Sequence, residues 1–369
     1  MSLPPPQRPG FAANGLLALC RAGFEKETAA ELDEFAAGLG LMGFVRAQPG
    51  KAFVVFETPE PVPFAELAER CDWRSLIFAR QLLPWFARVD DLPERDRATP
   101  IVAAVRASGQ RFADLLLETP DTDEAKQQSG FCKRFTAPLQ RELDKANTFR
   151  ERAKGLPALH VLFVDANTAW LCAALPGHAA LWPMGIPRLR MLREAGSRST
   201  LKLAEAFFTL LTEDERNASL RAGLRAVDLG AAPGGWTWQL AHRGLRVTAV
   251  DNGPMAPSVM ATEMVEHVRA DGFTWRPPRP VEWLVCDMVE QPTRVSALVA
   301  DWLAMGRCRR AIFNLKLPMK KRLDAVEQCR AIITKRLAHS GPFELRMKHL
   351  YHDREEITCY LALQNPGAS

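Results

Sequence analysis

The chain is 369 residues long, 47% hydrophobic and 25% charged, with a formal net charge of +5. This composition is ordinary for a soluble globular protein of two or three domains, and the modest charge permits a nucleic-acid partner without requiring one. The eight cysteines form no Cys-x-x-Cys pair, so we expect buried thiols of a reducing compartment instead of disulfides or a zinc site. No apolar run could cross a bilayer and no signal peptide is apparent, which predicts a cytoplasmic protein.

The first part of the chain predicts a flexible tail followed by a small α+β unit. Residues 1–13 begin with a proline-rich run and are predicted to form the tail. Residues 14–98 then alternate between extended and helical patterns in an order typical of a ferredoxin-like unit. The predicted elements are a strand over 15–20, a helix over 25–39, a strand over 52–57, a helix over 63–72 and an extended stretch over 77–89.

Residues 99–182 predict a second α+β unit that carries a basic run. Its predicted elements are a helix over 100–107, an extended segment over 112–118, a helix over 135–146 and a hairpin of strands 159–164 and 168–174. The basic run has three acidic neighbours and consists of Lys126, Lys133, Arg134, Arg141, Lys145, Arg150, Arg152 and Lys154. With Phe131, Phe135 and Phe149 nearby, it would suit an RNA backbone and unstacked bases, although a solvated helix face explains it equally well.

The second half of the chain predicts an open, doubly wound α/β sheet. Residues 183–198 are predicted to be a basic linker, and Ser197 to Thr200 offer an N-cap for a helix over 201–211. The predicted strands cover 224–229, 246–250, 265–270, 281–286, 309–315, 343–350 and 356–363, and long helices cover 293–305 and 320–339. Too few residues join the last two strands for a parallel crossover, so we expect these strands to pair antiparallel.

The turn after strand 224–229 carries the pattern D-x-G-x-x-P-G-G. Its residues predicted to line a ligand are Ala232, Pro233, Gly234 and Gly235. Strand, glycine-rich turn and helix open a nucleotide-binding sheet, and Asp251, at the end of the next strand, is placed to bind a ribose hydroxyl pair. The dinucleotide fingerprint G-x-G-x-x-G is absent, and Pro233 removes a backbone donor that a pyrophosphate would use. A ligand with a ribose and an amino acid moiety fits better, which points to S-adenosylmethionine.

The run D-L-G-A-A-P-G-G-W over 228–236 resembles the first motif of the FtsJ/RrmJ-like RNA 2′-O-ribose methyltransferases. With its flanking segments, the whole chain resembles the ribosomal RNA large subunit methyltransferase M family. The resemblance implies an S-adenosylmethionine-dependent methyltransferase domain over 199–369 and a THUMP-type RNA-binding unit over 99–182. The expected fold is therefore α/β, a Rossmann-like methyltransferase sheet with an antiparallel last strand, preceded by an α+β ferredoxin-like and THUMP region.

Three acidic residues are predicted to end strands at the edge where open α/β sheets bind ligands: Asp251, Asp271 and Asp287. We expect Asp251 to bind the cofactor ribose and Asp271 the adenine amino group, although a simple Asp-Gly turn would also explain Asp271. Asp287 is counted with both the cofactor-binding and the catalytic residues. Residues 232–235 would line the methionine end of the cofactor. Ser199 resembles a family position that contacts the cofactor, with a plain helix cap as the alternative.

The residues around Asp287 argue against methylation of a base. Enzymes that modify exocyclic amines commonly carry Pro-Pro-Tyr after this position, whereas Met288 and Val289 stand here. Cytosine C5 enzymes need a nucleophilic cysteine, typically after a proline, and Cys286 has no such proline. The sequence therefore supports neither chemistry.

A lysine, Lys316, ends the fifth strand, where it would be a poor core residue but a candidate base. Lysines act as bases near neutrality when burial and a neighbouring cation lower the pKa from about 10.4. The resemblance supplies a Lys-Asp-Lys-Glu tetrad that matches Lys202, Asp287, Lys316 and a glutamate of the last strand. We choose Glu356, which directly starts the apolar strand, while Glu355 remains a close alternative. No metal is expected.

The resemblance implies 2′-O-ribose methylation of a cytidine in the peptidyl-transferase region of 23S ribosomal RNA. Because the mature target region would be poorly accessible, we expect unassembled or precursor RNA as the substrate. Two alternatives remain open. One is 2′-O-methylation of another RNA such as tRNA, and the other is a non-catalytic RNA-binding or ribosome-assembly factor with a vestigial cofactor fold. Residues that match all four tetrad positions argue against the second alternative.

Overall fold

The computed structural model describes residues 10–364, in two compact units that divide between Ile186 and Pro187. Residues 1–9, which make up most of the predicted tail, lie outside the described residues. All eight cysteines are buried free thiols, as the sequence predicted.

The predicted tail extends too far along the chain, because the first strand already begins at Ala12. Phe11 packs its ring against the rings of Phe64 and Phe86, with centroid distances of 4.6 and 5.2 Å. Burial of a large aromatic ring stabilises the backbone that carries it. Residues 11–13 therefore belong to the folded unit.

The first unit is built on one sheet of seven strands in the order β2-β3-β1-β4-β7-β6-β5. The strands are β1 (Ala12–Leu19), β2 (Phe44–Ala47), β3 (Phe53–Pro63), β4 (Gln81–Val89), β5 (Asp114–Glu118), β6 (Ala158–Phe163) and β7 (Ala169–Ala174). The helices are α1 (Glu25–Gly38), α2 (Phe64–Ala68), α3 (Ala98–Ala107), α4 (Asp123–Lys126) and α5 (Ser129–Lys145). Successive residues of β1, such as Leu16 and Leu17, enter cores on opposite faces of this sheet.

The two predicted N-terminal units share this sheet, because β4 pairs antiparallel with β7. The sequence predicted their elements in the right order but placed a unit boundary between residues 98 and 99. Strands far apart in the sequence pair here without any local signal, and the hydrogen-bond ladder runs across that boundary. Residues 10–186 therefore form one compact unit.

Of the phenylalanines in the basic run, Phe149 belongs to the core, and Phe131 and Phe135 are partly buried against it. Phe149 is buried, and Phe131 and Phe135 stack on each other at 4.9 Å while meeting the buried Phe163 edge-on. Packing uses much of the apolar area of these rings, and a contact of Phe131 or Phe135 with unstacked bases stays a prediction. All eight basic side chains of the run are exposed, so its positive charge remains available.

The second unit is a mixed sheet of seven strands in the order β10-β9-β8-β11-β12-β14-β13. The strands are β8 (Arg225–Leu229), β9 (Arg246–Val250), β10 (Val265–Val268), β11 (Val281–Cys286), β12 (Cys308–Lys316), β13 (Phe343–Lys348) and β14 (Glu356–Leu363). The helices are α6 (Thr200–Thr209), α7 (Glu213–Ser219), α8 (Gly235–Ala241), α9 (Pro257–Met260), α10 (Pro292–Ala304) and α11 (Arg322–Leu337). β8 to β12 pair in parallel, and β14 is antiparallel to both of its neighbours, which confirms the predicted fold class.

The antiparallel direction of β14 brings its first residue and the last residue of β12 to the same edge of the sheet. Parallel strands end at one edge of a sheet, and an antiparallel strand begins at that same edge. In the pairing of β12 with β14, Lys316 at the end of one strand lies opposite Glu356 at the start of the other. Residues distant in the sequence therefore converge at the carboxyl edge.

The predicted basic linker over 183–198 is packed at both ends. Ile186 is 1% exposed in the first unit, and Ala195 is fully buried in the second unit, in a cluster with Ala231 and Val259. The sequence signal was the run of arginines, which are exposed, and it could not reveal the buried small residues between them.

Candidate active site

The predicted cofactor turn lies at the carboxyl edge of the second sheet, directly after β8. Gly234 has a φ of 113°, a conformation that residues with a Cβ rarely adopt. A Cβ at Gly234 would lie 2.9 Å from Met255 and 3.0 Å from Val259, and the carbonyl of Pro233 accepts a hydrogen bond of 2.9 Å from the N–H of Ala256. The segment after β9 therefore holds the turn closely, and the glycine is required there.

Ser199 lies against Gly235, where an added Cβ would overlap the Ser199 hydroxyl oxygen. Although Ser199 precedes α6, its side chain makes no cap hydrogen bond, and its Oγ lies 3.1 Å from Ser197 Oγ. The indole nitrogen of Trp236 donates to the Ser199 carbonyl at 3.0 Å. The structure thus brings Ser199 to the turn and does not form the helix cap that was the alternative.

The Asp251 carboxylate directly follows β9 and is fixed by the backbone on both of its oxygens. The N–H of Ala232 donates to Oδ2 at 3.0 Å, and the N–H of Gly253 donates to Oδ1 at 2.7 Å. A carboxylate offers about four lone-pair sites, so acceptor capacity remains for a ribose hydroxyl pair. A constrained glycine turn beside an anchored carboxylate fits the sugar and amino acid parts of S-adenosylmethionine.

Replacement of Asp251 with alanine should weaken S-adenosylmethionine binding by at least about tenfold, because a hydrogen bond to a charged group contributes about 1.5–3 kcal/mol. Calorimetric titration measures the affinity, and a melting curve verifies that the turn has not unfolded. The exposed neighbour Asn252, replaced with alanine, is the control and should bind normally. Equal affinities of the two variants would refute the assignment.

Asp271 lies farther from the sheet than predicted, because β10 ends at Val268. Its Oδ1 accepts a hydrogen bond of 2.8 Å from the N–H of Phe273, and its carbonyl accepts one of 3.0 Å from the N–H of Thr274. The side chain is exposed. The geometry is that of the Asp-Gly turn that the sequence left open, and a contact with adenine remains a proposal.

The sequence prediction did not single out Asp228 as a functional carboxyl, although an acidic residue inside an apolar strand was a usable signal. Asp228 is 1% exposed and accepts a hydrogen bond of 2.6 Å from Thr237 Oγ1. Burial raises the pKa of Asp228 to about 7, opposed by the Thr237 hydroxyl and assisted by the charge of Asp287. The cofactor cleft therefore has a buried acid beneath its glycine turn.

Asp228 should make the free energy of unfolding depend on pH. Because the folded pKa of about 7 exceeds the ordinary 3.8, its contribution to stability is full below about pH 4 and is lost as the pH rises to about 7. A difference of about three pKa units corresponds to roughly 4 kcal/mol. Asp228→Asn should remove this loss. In urea unfolding, the free energy of unfolding of the variant should therefore rise relative to that of the wild type between pH 4.5 and pH 8. Parallel pH profiles of the two proteins would contradict the assignment.

The four predicted catalytic side chains form a closed ring at the carboxyl edge. Lys316 Nζ lies 2.9 Å from Asp287 Oδ1 and 3.7 Å from Glu356 Oε2. Lys202 Nζ lies 3.6 Å from Asp287 Oδ2 and pairs directly with Glu356 Oε1. Each lysine thus contacts both carboxylates. The side chains are between 9% and 23% exposed, so the ring is shielded from water yet reachable.

Lys202 keeps its positive charge in this ring. Burial lowers the pKa of Lys202, but the nearby carboxylates of Asp287 and Glu356 together raise it by more, and the net direction is upward. A permanently charged Lys202 is the neighbouring cation that the sequence prediction required beside the candidate base.

The structure distinguishes the two candidate glutamates. Glu356 is 7% exposed and contacts both lysines of the ring. The Glu355 carboxylate instead pairs with Arg322 Nη2 at 2.8 Å and is 48% exposed. Only Glu356 of the two is therefore brought to the tetrad.

One residue at the ring was missed by the sequence prediction. Asn314 is fully buried in β12, and its side-chain Nδ2 donates to Asp287 Oδ1 at 2.8 Å. An amide inside the apolar run 311–315 was a detectable signal, because buried polar groups need a hydrogen-bond partner. Its partner could not be named without the register of β11 and β12.

Three protein-family models match the chain. Residues 13–83 match the RlmM ferredoxin-like domain, residues 96–175 match the N-terminal model of ribosomal RNA large subunit methyltransferase M, and residues 195–341 match the FtsJ-like methyltransferase. A relative named ribosomal RNA large subunit methyltransferase M, from Aromatoleum aromaticum, is 84% identical over 364 residues, which cover 99% of each chain.

Relatives of the same name from Thauera aminoaromatica and Xanthomonas campestris are 68% and 50% identical, over 96% and 94% of this chain and 97% and 98% of theirs. The chain belongs to the ribosomal RNA large subunit methyltransferase M family. Membership confirms the resemblance, the enzyme class and, with the FtsJ-like domain, S-adenosylmethionine as the cofactor. The ferredoxin-like unit is confirmed by the model over 13–83. The model over 96–175 is not named for THUMP, so that assignment stays a prediction.

Two further properties of this family member concern membranes and metals. Within residues 10–364, no helix is long and apolar enough to cross a membrane. In the same described part of the chain, no group of three or more His, Cys, Asp or Glu side chains is placed to hold a metal ion.

Proposed function

We propose that this protein transfers a methyl group from S-adenosylmethionine to the ribose 2′-hydroxyl of a cytidine in the peptidyl-transferase region of 23S ribosomal RNA. The ring of Lys202, Asp287, Lys316 and Glu356 carries this proposal. A ribose hydroxyl is a weak acid and must give up its proton as it attacks. Lysine and carboxylate groups held together at the cofactor edge suit that task.

Bound S-adenosylmethionine supplies a methyl group on a positively charged sulfur. Lys316 in its neutral amine form takes or shares, at Nζ, the proton of the 2′-hydroxyl while the C–O bond forms and the S–C bond breaks. Asp287 and Glu356 orient both lysines, and Lys202 supplies a fixed positive charge beside them. The transfer is a direct displacement, so these residues contribute mainly position and deprotonation.

The cofactor is assigned to the glycine-rich side of the same edge. Asp251 would accept hydrogen bonds from the ribose, and Ser199 with residues 232–235 would line the methionine part. Asp287 directly follows β11 and lies between the glycine-rich turn and the two lysines of the ring. It would therefore face both the cofactor and the reacting hydroxyl. The proposed contact of Asp271 is with the adenine amino group.

We assign RNA binding to the exposed basic run between Lys126 and Lys154, as part of a THUMP-type unit over 99–182. All eight basic side chains of that run are exposed, and phosphate contacts from such side chains position an RNA without reading its sequence. The proposed substrate is unassembled or precursor 23S RNA, because a mature peptidyl-transferase region would be poorly accessible. Such a substrate implies a cytoplasmic site of action.

The substrate is tested by incubating the protein and labelled S-adenosylmethionine with unmodified 23S RNA, assembled large subunits or tRNA. We expect label in free 23S RNA, located in one cytidine after nuclease digestion and chromatography. Label confined to tRNA would show that tRNA is the substrate in place of 23S RNA, and the proposed methyl transfer would stand. Cofactor binding without label in any RNA would instead support a non-catalytic assembly factor.

A further inference from the structure

A chain of buried polar groups continues inward from the tetrad. Asn314 on β12 and Thr358 on β14 are opposite each other in the sheet, two residues along from the pair Lys316 and Glu356. The two pairs therefore lie on the same face of the strands. Thr358 Oγ1 lies 2.8 Å from Asn314 Oδ1, and it also lies 3.1 and 2.9 Å from the two carboxyl oxygens of Asp353.

The hydrogens in this chain can be assigned from chemistry alone. Asp287 Oδ1 already accepts from Lys316 Nζ, so the Asn314 amide must present its NH2 to Asp287 and its carbonyl oxygen to Thr358. The Thr358 hydroxyl has one hydrogen, and the Asn314 carbonyl takes it. The contact between Thr358 and Asp353 is then favourable when the Asp353 carboxyl carries a proton and donates it to Thr358 Oγ1.

The surroundings of Asp353 agree with a protonated carboxyl. Asp353 is fully buried in the connection between β13 and β14, where the N–H of Leu350 donates to its Oδ2 at 3.0 Å. Burial, and after it the neighbouring charge of Glu356, raises the pKa of Asp353 well above its ordinary value. Oδ2 accepts from the backbone, and both carboxyl oxygens lie within hydrogen-bond distance of Thr358 Oγ1, so a proton on this carboxyl can be donated to that hydroxyl.

We propose that Asp353, Thr358 and Asn314 form a positioning relay for Asp287, with every hydrogen bond donated toward the tetrad. The relay rests on the proposed role of the tetrad. The Asp353 hydroxyl donates to Thr358, the Thr358 hydroxyl donates to Asn314, and the Asn314 amide donates to Asp287. Because Oδ1 of Asp287 also receives Lys316, the relay fixes the carboxylate that holds the base.

The relay restricts the rotation of the Asp287 carboxylate. Asp287 directly follows β11, and its Oδ1 is held from the side of β12 by both Asn314 and Lys316. Without the amide, the carboxylate could rotate about its side-chain bonds and draw Lys316 away from the reacting hydroxyl. A small misplacement of a catalytic group is costly, since proximity and orientation supply much of the rate enhancement.

The test compares Thr358→Val with Thr358→Ser and Asp353→Asn. Valine keeps the β-branched shape and removes the hydroxyl, whereas serine keeps the hydroxyl. We expect Thr358→Val to lower kcat for RNA methylation about tenfold, with unchanged S-adenosylmethionine affinity and unchanged KM for RNA. Thr358→Ser should restore kcat. Asp353→Asn should also stay within about twofold of the wild type, because an amide can donate to Thr358 as a protonated carboxyl does.

Each outcome identifies what fails. A normal kcat for a folded Thr358→Val protein would overturn the relay, and so would an equal loss in Thr358→Ser. A loss in Asp353→Asn as large as that in Thr358→Val would overturn the placement of the proton. If valine prevents folding, Thr358→Ala is compared with serine in the same assay. Lys316→Ala is measured alongside, and normal turnover there would refute the proposed function itself.

Discussion

Replacement of Lys316 with alanine should abolish methyl transfer to RNA while leaving S-adenosylmethionine binding nearly unchanged. Lys316 Nζ contacts Asp287 and Glu356, and the cofactor contacts are assigned to the glycine turn and Asp251. General acid–base catalysis contributes about 10²–10⁴-fold to a rate, so we expect kcat to fall by about a thousandfold. Single-turnover transfer and a cofactor titration, made on the same preparation, separate the two effects.

Lys320 provides the matched control for this substitution. It is an exposed lysine only a few residues beyond the end of β12, so Lys320→Ala removes the same charge from the same region of the sheet. We expect less than a threefold change in kcat for the control, because it does not touch the ring. Near-normal turnover of Lys316→Ala would contradict the role of Lys316 as the base, whatever the control shows.

Replacement of Glu356 with glutamine should lower kcat by about a hundredfold. The change removes one of the two negative charges that hold Lys202 and Lys316, and it does so at a position only 7% exposed. Asp287 alone would then have to orient both lysine side chains. Removal of one preorganised electrostatic contact, such as a single oxyanion-hole donor, costs about 10²–10³ in kcat. Cofactor affinity should remain within about threefold, because Glu356 belongs to the lysine side of the edge.

Glu355 is the matched control for Glu356, one residue earlier in the chain. Its carboxylate is 48% exposed and pairs with Arg322, which is not a member of the ring. Glu355→Gln should therefore keep kcat within about twofold of the wild type. If the two glutamine variants lost activity equally, the local structure at the start of β14 would matter and the ring charge would not.

The strand-to-turn pattern made much of the candidate site predictable. Because parallel strands end at one edge, Asp251, Asp287 and Lys316 could be placed together from strand ends alone. The choice between Glu355 and Glu356 could not be made from residue type, since adjacent residues at a strand start face opposite sides. The register of β12 with β14 decides it, by placing Lys316 opposite Glu356.

Features that depend on pairing between distant segments could not be predicted from the sequence. The edge strand β2 is four residues long and mostly exposed, so it carries no strong apolar alternation. The hydrogen-bond ladder between β4 and β7 joins segments about 80 residues apart, and no local sequence pattern predicts this pairing. The partners of Asn314 likewise come from two other strands or their ends. Local periodicity therefore predicted the elements, whereas tertiary pairing determined how they assemble.

Alkaline hydrolysis of the methylated RNA tests the central claim most directly. Unmodified 23S RNA is labelled with methyl groups from S-adenosylmethionine by the protein, and the product is digested in alkali. A methylated 2′-hydroxyl cannot attack the neighbouring phosphate, so a ribose methyl survives in an alkali-resistant dinucleotide. The account predicts that the label is recovered in one such dinucleotide with cytidine at its 5′ side. Recovery of the label in a single base-modified nucleotide would contradict the proposal that the ring of Lys202, Asp287, Lys316 and Glu356 catalyses ribose methylation.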